Sequence, residues 1–190
     1  VPVDPGELAA TADQAASLAA KCGFPVVLKI ESPDILHKTD AGGVKLNIAN
    51  EHEAREAFAQ IMINAMAYNP KADIKGVLVQ PMLPPGLEVI IGVNNDAQFG
   101  PMILAGLGGV FVEVFKDTAL YPAPLNKAEA LDMLAGLKAR KLLDGYRGAA
   151  PRDLDALADC LVRIAAFAAD HKDSVRELDL NPVFVYEQGQ

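Results

Sequence analysis

Apolar residues recur along this chain with two periods, two residues in some stretches and between three and four in others. The first marks strands and the second marks amphipathic helices. Val26 to Ile30 reads as a strand after Pro25, and Val44 to Ile48 alternates Val, Leu and Ile with Lys45 and Asn47 as a half-exposed strand would. Ile74 to Gln80 reads as a buried strand, broken at Pro84-Pro85-Gly86. Leu87 to Val93 and Pro101 to Ala105 form two more, with Asn94-Asn95-Asp96 as the turn between them. Phe111 to Phe115, Thr118 to Tyr121 and Val175 to Tyr186 complete the predicted strands. Helices are expected over Leu8 to Cys22, ended by Gly23, and over Glu51 to Tyr68, where Ala54, Ala57, Phe58, Ile61, Met62, Ala65 and Met66 share a stripe. Lys127 to Gly136 and Asp153 to His171 are the other two, the latter with Leu154, Leu157, Leu161, Ile164 and Ala168 on its apolar face.

This order does not fit a regular doubly wound βαβ sheet. It fits two α+β lobes, residues 1–83 and 84–190, meeting near Gln80 to Gly86, with a mostly antiparallel sheet in the second because short turns link its strands. No internal repeat or low-complexity segment is visible.

Composition narrows the function. The 190 residues are 51% hydrophobic and 22% charged, which is globular, and the net charge of −8 disfavours nucleic acid or an anionic membrane as a partner. No apolar run reaches the ~18 residues of a membrane span. Val1 to Gly6 has neither the basic start nor the apolar core of a signal peptide, and Cys22 and Cys160 have no metal-ligand spacing, so a cytoplasmic, reducing setting is expected. The absence of an initiator Met suggests a piece of something longer.

Against the acidic background, Lys29 stands out inside the apolar strand, where a lysine calls for an anionic partner. The loop after it, Ile35-Leu36-His37-Lys38-Thr39-Asp40-Ala41-Gly42-Gly43-Val44, adds a histidine, a second lysine and a glycine pair. Glycines let backbone N–H groups turn toward a phosphate and let it come close. Strand lysine plus glycine loop points to a nucleotide triphosphate, although no Gly-x-x-x-x-Gly-Lys-Ser/Thr run occurs. A neutral imidazole is a competent nucleophile near pH 7, and Lys29 and Lys38 would stabilise a transferred phosphoryl group beside His37. Near the end of the chain, Glu177, Asp179 and Asn181 alternate along one predicted strand, placing three oxygen-bearing side chains on one face. Such a set suits Mg²⁺, which binds through few protein ligands and the substrate's phosphates.

Taken in order, the segments Phe24-Pro25-Val26-Val27-Leu28-Lys29, His37-Lys38-Thr39-Asp40-Ala41-Gly42-Gly43-Val44, Val79-Gln80-Pro81-Met82 and Gly86-Leu87-Glu88 resemble an ATP-grasp domain. Phe99-Gly100-Pro101, Gly106-Leu107-Gly108-Gly109-Val110-Phe111-Val112-Glu113, Ala123-Pro124-Leu125, Gly145-Tyr146-Arg147-Gly148 and Glu177-Leu178-Asp179-Leu180-Asn181-Pro182 narrow the resemblance to NDP-forming acyl-CoA synthetases of the ADP-forming acetyl-CoA synthetase type. The resemblance implies an α+β fold of two lobes with a nucleotide cleft between them, and ATP/ADP and Mg²⁺ as cofactors. It implies that Lys29 contacts the phosphates, that Gly42 and Gly43 cover them with Lys38 alongside, and that His37 is a phosphohistidine passing phosphate to ADP. It gives the backbone of Gln80 to Met82 to adenine, Glu88 to the ribose hydroxyls and Asn181 to the metal, and sets Asp179 toward the phosphohistidine. The reaction implied is acid + ATP + CoA ⇌ acyl-CoA + ADP + phosphate, with a CoA-binding, acid-activating domain or subunit as partner.

The chain departs from the family pattern in places. The family often carries a basic residue before its Ala-Pro-Leu, where this chain has Tyr121-Pro122, so that one phosphate contact is either absent or supplied by Arg147. A helix usually found ahead of the present start, and a strand with a metal-binding Asp beyond the present end, are expected outside these residues. The 190 residues alone would then bind nucleotide weakly and make no acyl-CoA. The same domain occurs in proteins with a Gcn5-like acetyltransferase, where it would sense ligand, and the wider ATP-grasp group includes carboxylate–amine ligases, which need no phosphoryl carrier such as His37.

Overall fold

A computed structural model describes residues 3, 6–109 and 116–189, and divides the chain into two compact units, Val1–Pro84 and Pro85–Gln190. In the first unit the order is β1 (Glu7–Ala9), α1 (Ala12–Cys22), β2 (Val26–Glu31), β3 (Val44–Ile48), α2 (Glu51–Tyr68) and β4 (Gly76–Pro81). The strands form an antiparallel sheet in the order β1-β4-β2-β3. Val26, Leu28 and Ile30 of β2 and Val77 and Val79 of β4 bury one face of it against Ala15, Ala16 and Ala19 of α1 and Ala54, Phe58, Ile61 and Ala65 of α2. Alanines along α1 let the helix lie close to the sheet, while the larger side chains come from the strands and α2.

The second unit holds β5 (Leu87–Asp96), β6 (Gly100–Leu107), β7 (Thr118–Pro122), α3 (Lys127–Ala135), a 3₁₀ turn at Arg140–Leu142, α4 (Leu154–Asp170) and β8 (Glu177–Val185). Its sheet, β7-β6-β5-β8, is again antiparallel throughout. Val89, Ile91, Val93, Ile103, Ala105 and Leu107 pack against Met133 and Leu134 of α3 and Leu157, Leu161 and Ile164 of α4. Among the described residues both sheets thus carry helices on one face, and the architecture is α+β.

Three local features differ from the pattern reading. Leu8 belongs to β1, not to α1: Thr11 caps the helix by accepting from Gln14 N (3.2 Å), and the Gln14 side chain accepts from Ala10 N (2.9 Å), so the chain ahead is free to pair with β4. Asn94 to Asp96 continue β5, because the Asp96 carboxylate takes the N–H groups of Gln98 and Phe99 and moves the turn beyond it. Those two bonds hold the Asp96 carboxyl below its ordinary pKa. In β3, Leu46 is exposed despite its place in the alternation. The β2–β3 pairing contains one extra β3 residue between Lys45 and Ile48, and Asn47 takes the left-handed conformation (φ 57°) that such a bulge requires. The strand expected at Phe111 to Phe115 lies outside the described residues.

Candidate functional site

The predicted site residues of the first unit sit on β2, on the loop after it and at the end of β4. β2 is an inner strand, and Lys29 lies opposite Val44 on one side and Leu78 on the other. Leu28 and Ile30 face the helices, so the pleat turns Lys29 and Glu31 to the other face of the sheet. Gln80 pairs with Val27 and shares that face, while Met82 N donates to Pro25 O (3.0 Å) just past the end of β4. Lys29, Glu31 and Gln80 are therefore gathered on the face without helices.

The loop from His37 to Gly43 is one turn of helix closed by a left-handed glycine. Ala41 N donates to His37 O (3.2 Å), Gly42 N to Thr39 O (2.9 Å) and Gly43 N to Lys38 O (2.8 Å), with Gly42 at φ 61°. The last two bonds with the positive φ make a Schellman motif. This corrects the reason for the glycines. Both N–H groups close the turn itself, so they are not aimed outward as phosphate donors. Gly42 supplies the left-handed bend, and Gly43 supplies space: a Cβ there would lie 2.4 Å from Ile30 Cγ2 and 3.0 Å from Lys38 O.

The turn is fastened at several points. Ile30 N donates to Gly43 O (2.7 Å), and Ile35 is buried beneath the entry to the loop. Lys38 Nζ meets Glu31 Oε2 at 2.6 Å, which brings the loop lysine to the strand that carries Lys29. Asn64 of α2 donates through Nδ2 to Gly42 O (2.9 Å), and its Oδ1 accepts from Gln60 (2.8 Å). His37 is exposed at the start of this turn, next to Leu36, which is also exposed. Glu31 and Asn64 were not foreseen. Their one signal was a polar residue beside apolar ones, Glu31 at the end of a run and Asn64 within one, which many solvated positions share.

In the second unit, cross-strand pairing decides which residues share a face, since directly opposite residues point the same way. Gly92 lies opposite Asp179 and Asn94 opposite Glu177, whereas Val93 and Ile91 face the core opposite Leu178 and Leu180. Glu88, two pleats along β5 from Gly92, belongs to the face with Asp179. Asn181 is exposed like Asp179, and the β5–β8 register slips by one residue just there, between Leu180 and Val183. Pro182 has no N–H to give to the ladder, which makes it suited to the bulge. Glu88, Glu177, Asp179 and Asn181 thus stand on the helix-free face of the second sheet. Glu88 is also the point where the glycine pair arrives, since Gly108 N donates to Glu88 O (2.7 Å) and a Cβ on Gly108 would lie 2.8 Å from Glu88 Cβ.

Tyr121 points to the helix side, where its hydroxyl donates to Asp132 (2.8 Å) and its pKa rises as a result. Pro122, opposite Met102, is what this segment turns to the other face. Arg147 is exposed on a loop, 5.4 Å from the Tyr146 ring. Among the described residues no three His, Cys, Asp or Glu side chains cluster as a metal site. The donor set Asp179 and Asn181 is nonetheless of the sparse, all-oxygen kind that suits Mg²⁺ when phosphates and water complete its shell. Two surface hollows, one lined by residues of β1 and α1 and the other by residues of β3 and α2, contain none of the predicted site residues. No helix among the described residues is long and apolar enough to cross a membrane.

Comparison with known families matches residues 1–190 to the ATP-grasp domain. The chain belongs to the ATP-grasp family. It is 47% identical over 187 residues to the β subunit of acetate–CoA ligase (ADP-forming) I from Pyrococcus furiosus, covering 98% of this chain and 80% of that subunit. It is 48% identical over 189 residues to acetate–CoA ligase (ADP-forming) I from Archaeoglobus fulgidus, covering 100% of this domain but only 27% of that longer protein. Among solved structures, the dinucleotide-forming acetyl-coenzyme A synthetase 1 of Ca. Korarchaeum cryptofilum, in complex with coenzyme A, Ca-AMPCP and HgCl⁺, superposes with a TM-score of 0.94 at 45% identity, covering 99% of this chain and 82% of that one. A second complex of that protein, with coenzyme A and Mg-AMPPCP and with its phosphohistidine segment pointing towards the nucleotide-binding site, gives a TM-score of 0.81 at 43% identity over 97% of this domain and 79% of that chain. This ATP-grasp domain is therefore homologous to the nucleotide-handling part of ADP-forming acyl-CoA ligases.

Proposed function

We propose that this domain binds ATP or ADP and relays a phosphoryl group through His37, as part of an acid–CoA ligase that forms ADP. The observation that carries the reading is the mounting of His37: it is exposed on a fastened helical turn whose neighbouring Lys38 reaches to Glu31, on the face of β2 that carries Lys29. Lys38, next to the exposed imidazole, and Lys29, on the strand to which Lys38 reaches, would supply the positive charge that phosphoryl transfer requires, since its catalysis is mainly positioning and charge stabilisation.

In the direction of ATP consumption, an imidazole nitrogen of His37 attacks the γ-phosphorus in line. The N–P bond forms as the bond from phosphorus to the bridging oxygen breaks, ADP leaves with that electron pair, and the ring proton passes to solvent. Lys29 and Lys38 neutralise the phosphate oxygens, with Lys38 leaving Glu31 for the ligand. The backbone of Gln80 to Met82 reads adenine, and Glu88 accepts hydrogen bonds from the ribose hydroxyls. Asn181 would hold Mg²⁺, which when bound neutralises the phosphates, and Asp179 would orient the imidazole. The acid and CoA are handled by a partner domain or subunit, to which phospho-His37 passes its phosphoryl group or from which His37 receives it. Cys22 and Cys160 form no disulfide, which suits a cytoplasmic setting.

The test is to incubate the 190-residue chain with Mg²⁺ and millimolar γ-labelled ATP and to measure protein-bound phosphate that is acid-labile and base-stable. Wild type is expected to take up label, and His37→Ala to take up none while still binding nucleotide. Equal labelling of the two proteins, or none of the wild type, would withdraw the assignment.

A further inference from the structure

We propose that Asn64, on α2, is a positioning residue for His37, fixing the phosphoryl-carrying turn through its one bond to Gly42. The proposal rests on the reading that His37 is the carrier. Gly42 O can only accept, so the Asn64 amide must turn its NH₂ toward it, at 2.9 Å. That leaves Oδ1 for a donor, and the Gln60 NH₂ occupies it at 2.8 Å, one helical turn earlier on α2. The orientation of the Asn64 amide is thus set from behind.

The fit is also steric. An ideal Cβ on Gly42 would lie 2.7 Å from Asn64 Nδ2, so the glycine leaves the room that the amide fills. Gly42 is the left-handed residue of the Schellman motif, and its peptide is the point from which the turn would swing if the cap loosened. The other fastenings, Gly43 O to Ile30 N and Lys38 to Glu31, tie the turn to β2. Asn64 alone among these ties it to α2, which is packed on the opposite face of the sheet from Lys29. Beside the burial of Ile35 and Ala41 in the core that α2 shares, three polar ties to two elements restrict rocking of the turn about β2 more than the two ties to β2 alone would. In-line attack tolerates little such motion, because a misplacement of about 1 Å costs on the order of a hundredfold in rate.

The experiment compares wild type, Asn64→Asp and Gln60→Ala in the His37 labelling assay, with nucleotide affinity and thermal midpoint measured on each. Asn64→Asp keeps the size of the side chain but removes the donor to Gly42 O. It is expected to slow labelling by about ten- to a hundredfold with nucleotide affinity within twofold of wild type. Gln60→Ala, which frees the amide to turn over, is expected to slow labelling by a few-fold. Because Gln60 is exposed, this variant keeps the test open should the aspartate variant unfold. Wild-type labelling rates in folded Asn64→Asp, or in Gln60→Ala if the former does not fold, would overturn the inference. A parallel fall in labelling and nucleotide affinity would also overturn it, since the role would then be structural. Absence of label in wild type would instead defeat the carrier assignment, so the two failures are distinct.

Discussion

In the first unit, His37 and Lys38 ride on a turn of seven residues that must be folded and tied down before either side chain has a defined place. In the second, Glu88 and Asp179 stand directly on the pleat of an antiparallel sheet, with Asn181 exposed at the bulge that follows. Strand-mounted side chains take their direction from register, and the register here is enforced by the burial of Val89, Ile91, Leu178 and Leu180 on the opposite face. The turn has no such lattice behind it. It takes its shape from two glycines, one ion pair, one amide, one backbone bond to β2 and the burial of the small Ala41. Small substitutions in the turn should therefore disturb both stability and chemistry, whereas substitutions on the second sheet's face should disturb chemistry alone.

The largest effect on stability is expected from Gly43→Ala. The added methyl would meet Ile30 Cγ2 at 2.4 Å in the buried face of β2, and overpacking of that kind costs about 1–3 kcal/mol. Gly42→Ala follows at about 1–2 kcal/mol, the usual penalty for an L residue held in the left-handed region, and it also displaces Asn64. Denaturant titration of both variants checks the order. A Gly43→Ala protein as stable as wild type would mean that the turn is softer than its packing shows.

On the second sheet, Asp179→Asn and Asn181→Ala are each expected to change stability by no more than ~0.5 kcal/mol, because both side chains are exposed and leave the core face untouched. Under the proposed role, Asn181→Ala lowers nucleotide affinity in Mg²⁺ by about tenfold, the scale of one contact to a charged group, with a smaller loss when Mg²⁺ is replaced by chelator. Calorimetric titration in both conditions separates the two. Equal losses with and without Mg²⁺ would take Asn181 out of the metal site and weaken the contrast between the faces.

The same contrast explains what could be read in the sequence. The period-2 alternation put Glu177, Asp179 and Asn181 on one face; cross-strand register pairs Glu177 and Asp179 on one face of the sheet, while Asn181 falls at the register slip, which periodicity could not announce. The apolar stripe of α2 was legible for the same reason, with Ala54, Ala57, Phe58, Ile61 and Ala65 buried and only its edge member Met66 exposed. The α+β class and the family followed from ordered motifs. What escaped was whatever depends on an individual side-chain bond or a single backbone dihedral. Asp96 moves a hairpin turn by accepting two N–H groups, Thr11 frees Leu8 from a helix, and Asn47 inserts a bulge into β3. Asn64 and Glu31 act over 22 and 7 residues of sequence, and no periodicity announces such pairings. The glycine pair was noticed, but the turn's own hydrogen bonding, which decides where those N–H groups point, follows only from its three-dimensional closure.

The smallest expected effect concerns the far side of β8. Asp153 caps α4 by accepting from Ala156 N (2.9 Å), and its second oxygen accepts from Gly189 N (3.1 Å), so one carboxylate joins the helix start to the residues beyond β8. The two N–H groups, Ala156 first and Gly189 second, hold its pKa below the ordinary carboxylate value. A carboxyl depressed in the folded state adds stability above its unfolded pKa and loses it as pH falls through the folded one. Asn in its place keeps an acceptor for the cap but carries no charge. The wild-type protein should therefore melt above Asp153→Asn at neutral pH, and the gap should close on acidification through the carboxylate range, about pH 4 and below. Asp153 is only partly covered and its charge is screened by solvent, so the gap is expected to be narrow and to shrink further in high salt. A gap that stays constant from neutral to acid would show that the cap works as a neutral hydrogen bond and that charge plays no part in fastening this end of the strand. In that case a single polar side chain would matter less here than in the turn around His37, and the contrast between the two units would be sharper than proposed.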